Sequence, residues 1–245
     1  MTMAQINREL CTGCETCLSY CSVNAISMQE EKALIDPKVC TECYVCLRNE
    51  VCPVEAIEKT PIESFIHQFQ HIISDPTETT AATGVPGRGT EEAKTNDVTG
   101  RFKKGEVGVC IDMGRPGVGC YLRDVEKVAI SVARAGVSLA SSEHTPLAQL
   151  MADVKTGRLR DDIPRDVHFL SIIIEGKCPV ATLPSVLQAL EKVEKEIDTV
   201  FSLGLACRVD PKGYSPVLDV IQKMGLPQPI RGKVNVGLGK PLVTD

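Results

Sequence analysis

The sequence predicts an α+β protein in two parts: a small, doubled, cysteine-rich N-terminal module and a C-terminal βαββαβ sandwich, a split βαβ arrangement with helices on one side of an antiparallel sheet. Three observations carry this. Eight of the 12 cysteines fall within residues 11–52, in two runs that repeat. After residue 105 the apolar residues switch between strand-like alternation and helical spacing. Between the two parts, residues 75–106 are rich in Thr and Gly and poor in apolar side chains, a composition that cannot bury enough surface to fold alone. A chain of 245 residues fits one or two domains. The expected division is 1–60 for the cysteine module, 61–105 for a short helix and linker, 106–210 for the sandwich, and 211–245 for a helix and extended tail.

Composition narrows the function. No stretch approaches the roughly 20 consecutive apolar residues of a membrane span, and the start, MTMAQINREL, lacks the apolar core of an export signal, so the chain is expected in the cytoplasm. A net charge of −5, no Trp and 4% aromatic residues argue against nucleic-acid binding. Cytosolic thiols stay reduced, so cysteines in this number point to metal or redox chemistry rather than disulfides.

The cysteine module comes first in the chain. Cys11, Cys14, Cys17 and Cys21 read C-x2-C-x2-C-x3-C, and Cys40, Cys43 and Cys46 repeat the first three positions. Cys21-Ser-Val-Asn-Ala-Ile26 then matches Cys52-Pro-Val-Glu-Ala-Ile57, a duplication that implies two equivalent half-units packed together. Zinc sites built from C-x2-C pairs would use four ligands at a time and leave the third cysteine of each run without a role.

Residues 4–60 on this pattern resemble the bacterial dicluster ferredoxins. The resemblance implies two [4Fe–4S] clusters, each closed by a remote cysteine from the other motif: Cys11, Cys14, Cys17 and Cys52 for the first, and Cys40, Cys43, Cys46 and Cys21 for the second. Two positions depart from the family: five residues, Leu47 to Val51, separate the third and fourth cysteines of the second motif where three are usual, and Ser22 follows Cys21 where proline is usual. Such clusters exchange single electrons, so the expected role is electron relay to or from a partner oxidoreductase carrying flavin, molybdenum, tungsten or further iron–sulfur groups. Nine acidic against five basic residues in 1–60 suit docking to a basic partner. Tyr20 and Tyr44, beside ligands, are expected to shield the clusters from water.

In the linker, Phe65, Ile66, Phe69, Ile72 and Ile73 form one helical stripe, with His67 and His71 read as surface residues on the other side. Residues 75–106 read as a flexible tether or as a segment that becomes ordered against a partner; Arg88, Lys94, Arg101, Lys103 and Lys104 give it local positive charge.

In the C-terminal part, strands are expected at 106–111, 136–140, 168–174 and 199–207, and helices at 121–135, near 146–156 and at 183–197. A short helix at 216–223 precedes a tail in which Val234 and Val236 alternate like a strand, suited to adding to another subunit's sheet. Asp112-Met-Gly-Arg-Pro-Gly-Val118 before a helix, and Arg134-Ala-Gly-Val-Ser138 after it, are similar to ACT-type regulatory domains over roughly 106–209. That resemblance implies amino-acid binding or pairing into a homodimer. The Asp112 loop itself reads as a tight turn, with an anion-binding concavity as the alternative. With the first and third strands taken as parallel neighbours, Cys120 and Cys178 are expected at one end of the sheet as a candidate ligand or redox pair, with Cys110 near them and Cys207 at the far end.

The expected function is an iron–sulfur electron-transfer protein or subunit, with the C-terminal part for docking or dimerisation. The alternative is a redox- or small-molecule-sensing regulator. No flavin or nicotinamide fingerprint, local Cys–His pair or P-loop supports a self-contained enzyme.

Overall fold

The structure is a computed structural model, and residues 4–61, 64–80, 85–86, 100–115, 118–210 and 212–227 are described. The N-terminal part holds β1 (Ala4–Ile6), β2 (Ile26–Gln29), β3 (Lys32–Ile35), α1 (Val45–Arg48) and β4 (Ile57–Lys59). Strands β1 and β4 pair antiparallel, as do β2 and β3. The duplication is visible in the backbone: Asp36 donates its N–H to Ala25 at 2.8 Å, as Asn7 does to Ala56 at 2.7 Å. A small core of Ala4, Cys11, Cys17, Ile26, Ala33, Ile35, Tyr44, Val51, Ala56 and Ile57 closes the module. No α-helix of the described residues is long and apolar enough to cross a membrane.

Helix α2 (Phe65–Ser74) starts at Ser64, whose hydroxyl accepts the His67 N–H, the usual way a helix satisfies one of its orphan N-terminal donors. It buries Ile66, Phe69 and Ile73 as the stripe requires, but also Gln70 and His71. His71 is thus not a surface residue: the helix lies between the two parts of the chain and uses both faces. Phe65, at the exposed edge of the stripe, keeps 46% of its surface. Next come β5 (Thr79–Thr80) and β6 (Val85–Pro86), an antiparallel pair. Most of the expected tether, with Arg88 and Lys94, lies outside the described residues. Its described ends are packed: Asp75 is buried, and Phe102 lies over Gly108 where a Cβ would meet the ring at 2.4 Å.

The C-terminal elements are β7 (Glu106–Met113), β8 (Cys120–Tyr121), α3 (Leu122–Arg134), β9 (Ser138–Leu139), β10 (Met151–Asp153), β11 (Arg158–Leu159), β12 (His168–Phe169), β13 (Ile172–Pro179), α4 (Leu183–Val193), β14 (Phe201–Cys207) and α5 (Pro216–Lys223). The main sheet has the order β14-β7-β13-β9 with every neighbouring pair antiparallel. Val107, Val109, Ile111 and Met113 of β7 share one face with Ile172, Ile174 and Cys178, and with Phe201, Leu203, Leu205 and Cys207. That face joins α3, through Leu122, Val125, Val128 and Val132, and α4, through Leu183, Val186, Leu187 and Leu190, in one core. Gly108, Cys110 and Asp112 occupy the other face, as the two-residue period of a strand demands.

Several expectations are corrected. The first and third long strands are antiparallel, because the chain returns through β12 beside β8 before β13 begins. Cys178 pairs with Val107 at the start of β7, whereas Cys120 follows its end and pairs with Phe169. Cys120 and Cys178 therefore stand at opposite ends of the sheet and form no pair. Cys207, opposite Val107 in β14, lies at the Cys178 end rather than the far one. Both are buried, with burial pushing the Cys120 thiol up to about 12 and the Cys178 thiol up to about 11, and each packs as a small apolar side chain at its own end of the sheet. The helix expected near 146–156 is a 3-10 turn, Pro146–Leu150, running into the β10–β11 hairpin, because Gly157 (φ +73°) and the Asp153 carbonyl, which accepts from Thr156 and Gly157, close a turn there. In the loop after β7 the N–H groups of Gly114, Val118 and Gly119 are bonded to the carbonyls of Val200 and Gly114, so they are spent on the turn rather than turned to an anion; 116–117 lie outside the described residues. So does the tail with Val234 and Val236.

Candidate metal centre

Two loops carry the clustered cysteines, and their shapes match residue for residue. Gly13 and Glu42, Glu15 and Tyr44, and Asn24 and Glu55 hold the same places in the two repeats, and all six have positive φ, between 52° and 72°. Left-handed residues are costly for all but glycine, so three matched pairs mark a backbone bent for a purpose. Gly13 is compelled: a Cβ there would meet the Glu31 carbonyl oxygen at 2.3 Å.

These bends gather Cys11, Cys14, Cys17 and Cys52 around one pocket, whose wall includes Ile6, Ala33, Val51, Ala56 and Ile57. The remote Cys52 thus stands with the first motif. The five-residue spacing is absorbed by α1 and by exposed Asn49 and Glu50, after which Val51 turns in as part of the wall. Cys46 is within electrostatic reach of Cys43 and Cys21, and Cys40 of Cys43 and Cys46, so the other four cysteines gather likewise. Among the described residues no three His, Cys, Asp or Glu stand as they would around a single metal ion.

Backbone donors face the sulfurs. The Ala25 N–H donates to Cys21 Sγ at 3.1 Å and the Ala56 N–H to Cys52 Sγ at 3.2 Å, again as a repeated pair, and the Ala33 N–H reaches Cys11 Sγ at 3.5 Å. Hydrogen bonds from Ala33 and Gly13 lower the Cys11 thiol, and Thr16 lowers Cys14, while burial raises Cys17. Burial pushes Cys40 up to about 12 and Cys46 up to about 11. Both keep part of their surface accessible, yet the depth of protein around them governs how well an ion there is solvated. Four thiol sulfurs around one cavity, with N–H groups aimed at them, fit an iron–sulfur cube. Of the two tyrosines, Tyr44 is buried and stacks on His71 at 4.3 Å, while Tyr20 stays 46% exposed.

Side chains from far along the chain hold the Cys40 loop, and nothing in the local sequence announces them. Tyr121 Oη donates to the Lys38 carbonyl at 3.4 Å, His168 Nδ1 meets the Val39 carbonyl at 2.6 Å, and Gln70 Nε2 donates to the carbonyls of Cys40, at 3.1 Å, and His168, at 2.5 Å. His71 Nδ1 meets the Glu42 carbonyl at 2.9 Å. Arg48 donates to the Cys43 carbonyl at 2.5 Å and pairs with buried Asp75 at 2.7 Å. The one hint in sequence is a glutamine set inside the apolar stripe of α2.

A family profile described as a 4Fe-4S binding domain matches residues 4–27. Ferredoxin-3 of Chlorobaculum tepidum is 42% identical over 57 residues, 21% of this chain and 89% of that protein. An uncharacterized ferredoxin-like protein of Haemophilus influenzae is 40% identical over 58 residues, 21% of this chain and 65% of its own length. The indolepyruvate oxidoreductase subunit IorA of Pyrococcus horikoshii is 40% identical over 57 residues, 22% of this chain. The chain spans only 8% of the length of that subunit. No solved structure matches.

Proposed function

We propose, the chain belonging to the 4Fe-4S ferredoxin family through its N-terminal segment, that this ferredoxin-type electron carrier holds two clusters and serves a partner oxidoreductase. When bound, each cluster takes up and gives back a single electron. The observation that carries the reading is the cavity that collects Cys52 with Cys11, Cys14 and Cys17 across 35 or more positions of sequence. We assign these four to one cluster and Cys40, Cys43, Cys46 and Cys21 to the other. The chain's own contribution is to gather the thiols around one pocket, aim N–H groups at the sulfurs, and wall off water with Val51, Ala56 and Ile57.

The partner is read as an oxidoreductase with a basic docking patch. Support comes from the resemblance to an oxidoreductase subunit and from the net −4 of residues 1–60, since complementary charge speeds and orients encounter. We read 106–210 as a split βαβ unit of ACT-like type that docks or dimerises. The sheet order β14-β7-β13-β9 with α3 and α4 on one face supports that reading.

The test is anaerobic reconstitution with iron counting and low-temperature EPR. About eight irons per chain are expected, and Cys52→Ala should remove the cluster of the first motif while leaving that of Cys40. Zinc in place of iron would overturn the carrier role, and loss confined to the second cluster would reverse the cross-ligation.

A further inference from the structure

The two cysteine sites are set differently into the molecule. In the first, Cys14 is exposed, and the residues flanking the ligands are open to solvent: Leu10 at 49% and Val54 at 37%, with exposed Glu9, Glu15 and Glu55 around them. The Cys11 carbonyl is bound by Lys32 of its own module. In the second, Thr41 and Glu42 are fully buried, and the carbonyls of Lys38, Val39, Cys40, Glu42 and Cys43 are each held by a side chain, four of them from α2, β8 and β12. The fifth holder, Arg48, is itself anchored by Asp75 at the end of α2.

The geometry of the peptide unit gives this clamp a consequence. In a trans peptide the C=O and the following N–H point opposite ways. In this loop the Glu42 N–H meets the Cys40 sulfur, and the carbonyls held at Cys40 and Glu42 fix the peptide units on either side of that donor. N–H groups aimed at cluster sulfurs stabilise the more negative, reduced form and raise the potential.

We propose that the two sites have divided roles: the Cys11, Cys14, Cys17 and Cys52 site is the port through which a docked protein exchanges electrons, and the Cys40, Cys43, Cys46 and Cys21 site is an internal store whose potential is set by Gln70 and His168. This rests on the two-cluster assignment above. Gln70 and His168 are positioning residues: they touch the loop's carbonyls, not the reacting sulfurs. The partner that fits the port presents a small apolar patch for Leu10 and Val54 ringed by Lys or Arg for Glu9, Glu15 and Glu55. The second site gains from its cover a fixed set of donors; its four cysteines keep part of their surface accessible, but none is exposed as Cys14 is.

The experiment uses the reconstituted full chain in an EPR-monitored redox titration. Gln70→Leu keeps the apolar volume but removes the donor to Cys40. It should shift the reduced-to-oxidised ratio of the second cluster about tenfold toward oxidised at fixed ambient potential, a fall of 59 mV for one electron, with the first cluster unmoved. His168→Leu should act in the same direction, and His168→Asn, whose amide N–H replaces Nδ1, should restore the wild-type value. A restored value separates positioning of the loop from general loosening. Equal shifts in both clusters, a shift confined to the first, or no shift at full iron content would overturn the proposal. Should the variants not take up iron, the wild type still decides: an iron chelator should strip the first site much faster than the second, and equal rates would refute the division. A wild-type chain without about eight irons would instead sink the two-cluster reading beneath it.

Discussion

Gly13→Ala is a severe test of how the first site is built. The new Cβ would sit 2.3 Å from the Glu31 carbonyl oxygen, where ordinary contacts begin at 3.4 Å, so the loop must move by about 1 Å. Metal–ligand distances tolerate only about 0.2 Å. The residue must also keep φ at +72°, a left-handed conformation that costs an L-residue roughly 1–2 kcal/mol, and overpacking adds about 1–3 kcal/mol. The expected result is iron falling from about eight to about four per chain, with the EPR spectrum of the remaining cluster matching that of Cys52→Ala. Glu42→Gly is the control. It occupies the matched position in the second loop, glycine adopts positive φ freely, and the Glu42 carboxyl is bound only within its own module, by the Ala4 N–H at 3.4 Å and by the Tyr44 hydroxyl, so this variant should keep its iron. A Gly13→Ala protein with full iron and an unchanged melting temperature would refute the steric argument.

Two further predictions concern the C-terminal part. Arg165 grips Glu126 with two hydrogen bonds, of 2.7 and 3.0 Å, while also donating to the carbonyls of Leu159, Arg160 and Ile163. Arg165→Lys cannot reproduce that fork and should lower urea stability by about 1–3 kcal/mol; an unchanged midpoint would show the fork to be idle. Burial opposes ionisation of Glu126, but Arg165 and the Leu159 N–H outweigh it and hold its carboxyl below the usual range. With the folded value depressed, its contribution is present above the unfolded value of about 4.3 and fades as the pH falls through the folded one. The stability gap between wild type and Glu126→Gln should therefore be widest near neutral pH and narrow on acidification, with cluster loss cancelling between the two proteins. A gap that widens in acid would contradict the sign.

Much of the first site was legible because its information is local. Cys-x2-Cys-x2-Cys needs only a short loop to present three sulfurs, and the repeated Ala25-Ile26 and Ala56-Ile57 announce that each fourth cysteine is followed by the same turn. Strand and helix periods were legible in β7, α3 and α4 for the same reason: a single residue's face follows from its spacing to the next. The misreadings lie where neighbours in space are strangers in sequence. His71 read as a surface residue because α2 alone cannot say that protein covers both its faces. Cys120 and Cys178 read as neighbours because one strand's direction relative to another is set by the connection between them, and here that connection passes through β12. The segment 146–156 carried apolar residues at helical spacing, yet Gly157 and the Asp153 turn broke it into a hairpin.

Residue order by itself determined what chemistry the chain carries: sulfur donors in number and spacing suited to iron, in two copies, on a predominantly acidic segment. Only the folded chain decided how the copies differ. Hydrogen bonds from Gln70, His71, Tyr121 and His168 to the Cys40 loop span separations of 29 to 129 residues. Such contacts depend on how α2, β8 and β12 pack, and packing is a property of surfaces brought together after the local elements have formed, which no spacing within the loop encodes.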